Sequence, residues 1–282
     1  MNGDTSSLGN GSEFDKNLDR NGVDIIMKKI DTNCLLGHWP FRKIRMNKFD
    51  DLKTVHMQNG IEYGYLSSLD SIFYNDPFEG DIELHEIIKD TPYKHILTVN
   101  PEVPGFIDDI KRGIKLFDIK GVRIYPCYHG YKLDNKYLRQ LCHTLSENKL
   151  PLFLTMRMED ERLNYLMQPK NIDILNLSDF LADHPENTVV LQSIRVGEVL
   201  ALKDIINSRK NIFLDTSGFK DWLFVIEKLI KEINHHRIVY GSNHPLYCLK
   251  SSLLLVEEAE VGNYVKEDIF FNNAGAIPEF HS

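Results

Sequence analysis

A single (β/α)8 barrel is the fold class this sequence predicts, and three observations predict it. From Met27 onward, eight short β-branched or aliphatic runs recur at spacings of roughly 25–40 residues, the repeat of βα units. Stretches of helical periodicity separate them. The length of 282 residues suits one such barrel, which typically takes about 250. An open doubly wound sheet is the competing fold, but it usually carries a Gly-rich phosphate loop after its first strand. The segment Asp31-Thr32-Asn33-Cys34-Leu35-Leu36-Gly37 is not one.

Residues 1–26 stand apart. Asn, Gly, Asp and Ser dominate there, with too few apolar residues to offset the entropy of ordering. They are expected to form a disordered tail, with Met27 a natural alternative start, and residues 27–282 to form the barrel. The first four strands are expected at Lys28 to Asn33, Ile61 to Ser67, His95 to Asn100 and Gly121 to Tyr125. The second four are expected at Pro151 to Met156, Thr188 to Ser193, Ile212 to Thr216 and Arg237 to Gly241. Several are nearly continuous apolar runs, as strands covered on both faces are. Between them, three apolar stripes at helical spacing predict core-facing helices. These are Phe106, Ile110, Ile114 and Phe117; then Tyr137, Leu138, Leu141, Cys142 and Leu145; then Trp222, Ile226, Leu229, Ile230 and Ile233.

Composition excludes several partners. Lys and Arg number 33 against 41 Asp and Glu, a net charge of −8. Nucleic acid and anionic membranes both demand a basic face, so neither is expected as a partner. No apolar run approaches the ~18–20 residues of a membrane span, and the polar start lacks a signal peptide's apolar stretch. A cytoplasmic protein is expected. The four cysteines are widely spaced, without a C-x-x-C pair, and are expected to be reduced. An oligomer is compatible with the sequence, but no motif specifies one.

Function in a barrel sits where strands end and βα loops begin. After the fourth strand the chain reads Arg123-Ile124-Tyr125-Pro126-Cys127-Tyr128-His129. Val122 and Ile124 flank Arg123, so its side chain points to the opposite face. A guanidinium in the pore, beside Tyr125 and Tyr128, would grip a carboxylate or phosphate bidentately; the alternative is a structural ion pair. His129 has a side chain suited to acid–base work. Arg157 stands one step past the fifth strand and is a second candidate anion contact. The acidic Glu159-Asp160-Glu161 that follows fits either a binding loop or a solvated helix start. Asp215 and His244 end neighbouring strands, where an Asp could orient a His as general base; Asp215 could equally cap its own loop. Trp39 and Phe41 after the first strand could close over a ligand or simply pack.

Four segments, in this order, carry a resemblance: Ile30-Asp31-Thr32-Asn33, Gly121-Val122-Arg123-Ile124-Tyr125-Pro126, Tyr240-Gly241-Ser242-Asn243-His244-Pro245 and Asn273-Ala274. The chain from about Lys28 to Ile277 resembles the amidohydrolase-related (amidohydrolase-2) branch of the amidohydrolase superfamily. The resemblance implies a TIM barrel and metal-assisted hydrolysis or decarboxylation of small carboxylate or ring substrates. It also implies a divalent metal such as zinc, held by an Asp-x-His-x-His motif on the first strand, histidines ending the fifth and sixth, and an Asp on the eighth. Here Asp31 is retained, but the histidine positions fall on Asn33, Leu35, Thr155 and Ser193, and the aspartate on Asn243. Neutral amides and hydroxyls bind transition metals poorly, so no metal cofactor is expected. A relocated metal on His38, His129 and His244 has no spacing motif behind it.

The expectation is therefore a hydrolase, lyase or decarboxylase acting on a small carboxylate-, lactone- or amide-type substrate. His129, Asp215 and His244 would be catalytic, and Arg123, Tyr125, Tyr128, Arg157, Asn33 and Asn243 would bind a small anionic molecule. The alternative is a catalytically inert barrel that binds a metabolite or a protein.

Overall fold

The structure is a computed structural model that describes residues 27–160, 169–220 and 222–277. The proposed tail 1–26, and Glu161 and Arg162, lie outside the described residues. Strands are β1 (Lys29–Leu36), β2 (Ile61–Ser68), β3 (Lys94–His95), β4 (Leu97–Thr98), β5 (Val122–Ile124), β6 (Leu152–Thr155), β7 (Val189–Gln192), β8 (Ile212–Asp215) and β9 (Ile238–Val239). The principal helices between and after them are α1 (Phe49–Gln58), α2 (Pro77–Ile88), α3 (Phe106–Phe117), α4 (Pro126–His129), α5 (Lys136–Glu147), α6 (Ile174–Asp183), α7 (Val196–Ala201), α8 (Lys203–Ser208), α9 (Val225–Leu229) and α10 (Leu249–Glu257).

All pairings are parallel, in sequence order, as β1-β2-β3 and β4 through β9. Backbone bonds join these two sheets on both sides. Ile96 N–H donates to Leu66 O at 3.0 Å, Thr32 N–H to Tyr240 O at 2.9 Å and Asn243 N–H to Asn33 O at 2.7 Å. The expected barrel is the observed one. The third expected strand is split because Thr98 N–H donates to the buried Asp81 carboxylate of α2 at 3.2 Å. That carboxylate also binds His95 at 2.8 Å and the Ser71 hydroxyl at 2.9 Å. Of the third helical stripe, α9 keeps only five residues, and Trp222 is 43 % exposed rather than core.

The main core lies between strands and helices, where α3 contributes Phe106, Ile110 and Phe117, and α5 contributes Leu138, Leu141, Cys142 and Leu145. The pore is layered. Its lower end is apolar, filled by Ile30, Tyr65, Ile96, Phe153, Val190, Phe213 and Val239. Its upper end is closed by Leu35, Trp39, Leu69, Ile72, Tyr125, Met158 and Leu246, with Phe41 and Tyr128 packed against them. Polar side chains occupy the layer between.

Candidate functional site

Arg123 heads that polar layer. It is 1 % exposed, and its Nε–H donates to Thr155 Oγ1 at 2.8 Å. The Thr155 hydroxyl donates to Gln192 Oε1 at 3.2 Å, and the Gln192 amide donates to Thr32 O at 3.1 Å. Among the described residues, Nη1 and Nη2 of Arg123 have no hydrogen-bond partner. Burial pulls the guanidinium pKa down, while Tyr125, Asp215, Cys34 and Asp31 act electrostatically in the opposite direction. None of those groups bonds to it. Tyr125 is fully buried, its ring 5.0 Å from the guanidinium, and Ser67 and Thr98 neighbour its hydroxyl.

Asp215 and Asn33 form the opposite side. The Asn33 amide donates to Asp215 Oδ2 at 2.6 Å and to Ser217 Oγ at 3.2 Å. Asp215 also accepts from Ser193 N–H at 2.7 Å and from the Ser217 hydroxyl at 2.8 Å. Burial raises the Asp215 pKa, partly countered by these donors and by Arg123. A carboxylate so surrounded by donors is a fixed anionic hub that orients Asn33 and Ser217.

The expected Asp215–His244 dyad is not formed. Neighbouring strand ends bring the backbones together, but Asp215 is engaged by Ser193, Ser217 and Asn33. Among the described residues the buried ring nitrogens of His244 have no partner, and burial lowers its pKa. His129 points its Nε2 at Ile72 O, 3.0 Å away, and burial lowers its pKa, so it is neutral at pH 7. Tyr128 packs on Trp39, Phe41 and Phe73. Asn243 donates to Met158 O at 3.0 Å.

Arg157 forks onto Glu198 at 2.8 and 2.5 Å and donates to Ser193 O at 2.7 Å. Its guanidinium is thus tied into the fold. Glu159 is neither a solvated helix start nor a free ligand. It is buried and accepts from the Trp39 indole N–H at 2.9 Å and from Arg42 Nε at 2.6 Å. Beside it opens a cavity of about 470 Å3 over the strand ends, lined in part by Arg42, Arg195, Ser217, Lys220 and Tyr247. The Lys220 ammonium lies over the Tyr247 ring, and burial lowers its pKa to about 8. Lys220 escaped the sequence reading because an isolated loop residue forms no motif, and Ser217 stood there only as part of the loop that Asp215 could cap.

Cys34 and His56 escaped it too, because of an irregularity. Strand β1 pairs Asp31 with Gly64 and Cys34 with Leu66, so three steps on β1 match two on β2. This bulge places Asp31 and Cys34 on one side of β1, which strict alternation would separate. There they meet His56 of α1, and ligand-type atoms of the three lie within 4.8 Å of one another.

No protein-family model matches the chain, and no curated protein does. Solved structures do. The dihydroxybenzoic acid decarboxylase of Polaromonas sp. JS666, with bound manganese and the inhibitor 2-nitroresorcinol, superimposes with a TM-score of 0.70 at 14 % identity, covering 90 % of this chain and 98 % of the other. A 5-carboxyvanillate decarboxylase of Novosphingobium aromaticivorans, also with bound manganese, gives 0.68 at 13 % identity over 89 % and 97 %. A protein described as amidohydrolase II gives 0.64 at 17 % identity over 89 % and 100 %. These likenesses show the fold: a TIM barrel shared with decarboxylases and with a protein described as amidohydrolase II, as the resemblance read from the sequence implies. Among the described residues, no helix is long and apolar enough to cross a membrane.

The expectation of no metal cofactor does not stand. Two of these similar structures contain manganese, and the chain itself assembles Asp31, Cys34 and His56 as a three-donor cluster. Of these donors, Cys34 and His56 lie apart both from the positions that the resemblance marks and from the His38, His129 and His244 alternative. At the marked positions Asn33, Thr155, Ser193 and Asn243 offer neutral oxygens and Leu35 no donor at all, so that particular set does not fit a transition metal.

Proposed function

We propose that this protein is an enzyme of the amidohydrolase-type class that binds a small carboxylate in the pore, with Arg123 as its anchor. One observation carries the reading: a buried guanidinium with two donors that face no acceptor among the described residues. An unpaired buried charge costs several kcal/mol, and a bidentate carboxylate would satisfy both Nη groups at once. Tyr125 supplies an aromatic wall beside the anchor, and Asn33, held by Asp215, keeps its buried Oδ1 without a partner as an acceptor for a substrate hydroxyl or amide. The decarboxylase neighbours act on aromatic carboxylates by their descriptions, which supports that substrate class among those that lyases and hydrolases of this fold handle. In such a decarboxylation the bond between ring carbon and carboxylate breaks, carbon dioxide leaves and the ring carbon takes a proton.

A second reading has its own support. Leu35 and the aromatic cluster above it close the upper end of the pore, which favours an inert barrel that holds a small anion without turnover.

The test is thermal stabilisation by benzoate, hydroxybenzoates and phosphate, run beside a carbon dioxide release assay with the same carboxylates. Wild type should be stabilised, and Arg123→Lys, which keeps the charge but loses the fork, should bind at least about tenfold more weakly. Equal stabilisation of both removes Arg123 from the site. Binding without product, across hydroxylated benzoates and small lactones, selects the inert reading.

A further inference from the structure

We propose that Asp31, Cys34 and His56 form a structural site for a zinc-type divalent cation that pins α1 to the barrel wall. The cluster lies on the helix side of β1, where Cys34 packs with Leu36, Leu52, Leu66 and Tyr93. The three residues are 0 %, 0 % and 1 % exposed.

The geometry suits a metal as well as it suits an ion pair. Zinc holds nitrogen and oxygen ligands at about 2.0–2.1 Å, which sets two such atoms about 3.4 Å apart on a tetrahedron. Asp31 Oδ2 and His56 Nε2 are 3.4 Å apart, within ion-pair range, and among the described residues His56 Nε2 has no hydrogen-bond partner. The other ring nitrogen, Nδ1, is 2.9 Å from the Tyr93 hydroxyl. Metal-bound imidazoles are usually oriented by such a bond on the far nitrogen. Ser242 Oγ, at 2.5 Å from Asp31 Oδ2, and the N–H groups of Asn33 and Ser242 hold the carboxylate in place.

Space is kept for the cluster by Gly64. A Cβ there would lie 2.4 Å from Cys34 Sγ and 3.4 Å from His56 Cε1. Charge closes as well: a divalent cation neutralises one carboxylate and one thiolate, leaving the buried group uncharged. Binding requires the Cys34 thiol to lose its proton to solvent. A soft thiolate with an imidazole selects zinc over manganese, which prefers carboxylate and other oxygen donors.

The test uses the full-length protein purified without chelators. Grown with zinc, it should carry about one equivalent by plasma mass spectrometry. Grown with cobalt, it should show thiolate-to-cobalt charge-transfer absorption in the near ultraviolet. Cys34→Ser and His56→Gln should each cut metal content by about tenfold or more. His235→Ala, in the partly exposed cluster with His236 and Asp268, should leave it unchanged. Wild type without metal, or cobalt protein without the thiolate band, overturns the proposal whether or not the variants fold. So does metal that survives both buried substitutions, or that is lost with His235.

Discussion

Replacing Arg123 by methionine should make the ligand-free protein more stable and indifferent to anions. The guanidinium is 1 % exposed and strands two donors. Each stranded buried donor costs about 1–3 kcal/mol, and the one bond that would be lost, Nε to Thr155, is worth about 1 kcal/mol. Methionine fills a similar space with apolar, adaptable atoms. Asp215 and Asp31 lose a favourable neighbouring charge, which trims the gain. The net is a stabilisation of about 1–4 kcal/mol, the range seen when buried ionic groups are replaced by apolar ones. For a chain of this size that is a rise in Tm of about 2–8 °C. Melting curves of both proteins, each with and without benzoate and phosphate, test it. A variant that melts several degrees below wild type refutes the reasoning, because the guanidinium would then be an internal tether whose cost is already met. The predicted combination, higher stability with lost binding, is the signature of a residue kept for function.

Two further outcomes follow from local geometry and charge. Gly64→Ala should lower the unfolding free energy by about 1–3 kcal/mol, read as a lower urea midpoint at unchanged m, since the new methyl group would meet Cys34 Sγ at 2.4 Å and Asp31 O at 3.0 Å; an unchanged midpoint would mean β1 and β2 yield there. Lys220 has its amine pKa lowered from 10.5 to about 8 by burial, so between those values the unfolded chain binds more protons than the folded one. Wild-type stability should therefore fall relative to Lys220→Met as pH drops from about 10.5 through about 8, in urea melts at several pH values, and a pH-independent difference would contradict this.

The barrel was legible because its signals are local and redundant. Ile61 and Ile212 each open a strand where β-branched runs begin, and the stripes of α3 and α5 face the core as their spacing requires. The break in the third strand was not legible, because it depends on Asp81 of α2 capturing a strand N–H. Arg123 could be assigned to one face from its apolar neighbours. The Asp31–Cys34–His56 cluster could not be seen the same way: a one-residue bulge reverses the alternation that any period-two reading assumes. The Asp215–His244 pairing failed for a related reason. Adjacency of strand ends fixes where backbones lie, and the direction of each side chain is then decided by competing donors such as Ser217 and Asn33.

The cluster that closes the pore also gives the protein an optical window on its own opening. The chain has two tryptophans, and they inhabit opposite environments. Trp39 is 1 % exposed, wedged among aromatic rings with its indole N–H on Glu159, whereas Trp222 is 43 % exposed. In a Trp222→Phe background all indole emission comes from the closure. A ligand that enters past Leu35 and Tyr125 must shift Trp39, turning a blue, quencher-resistant signal into a redder, quenchable one. Admission to the pore could then be timed separately from any chemistry inside it, with no label added.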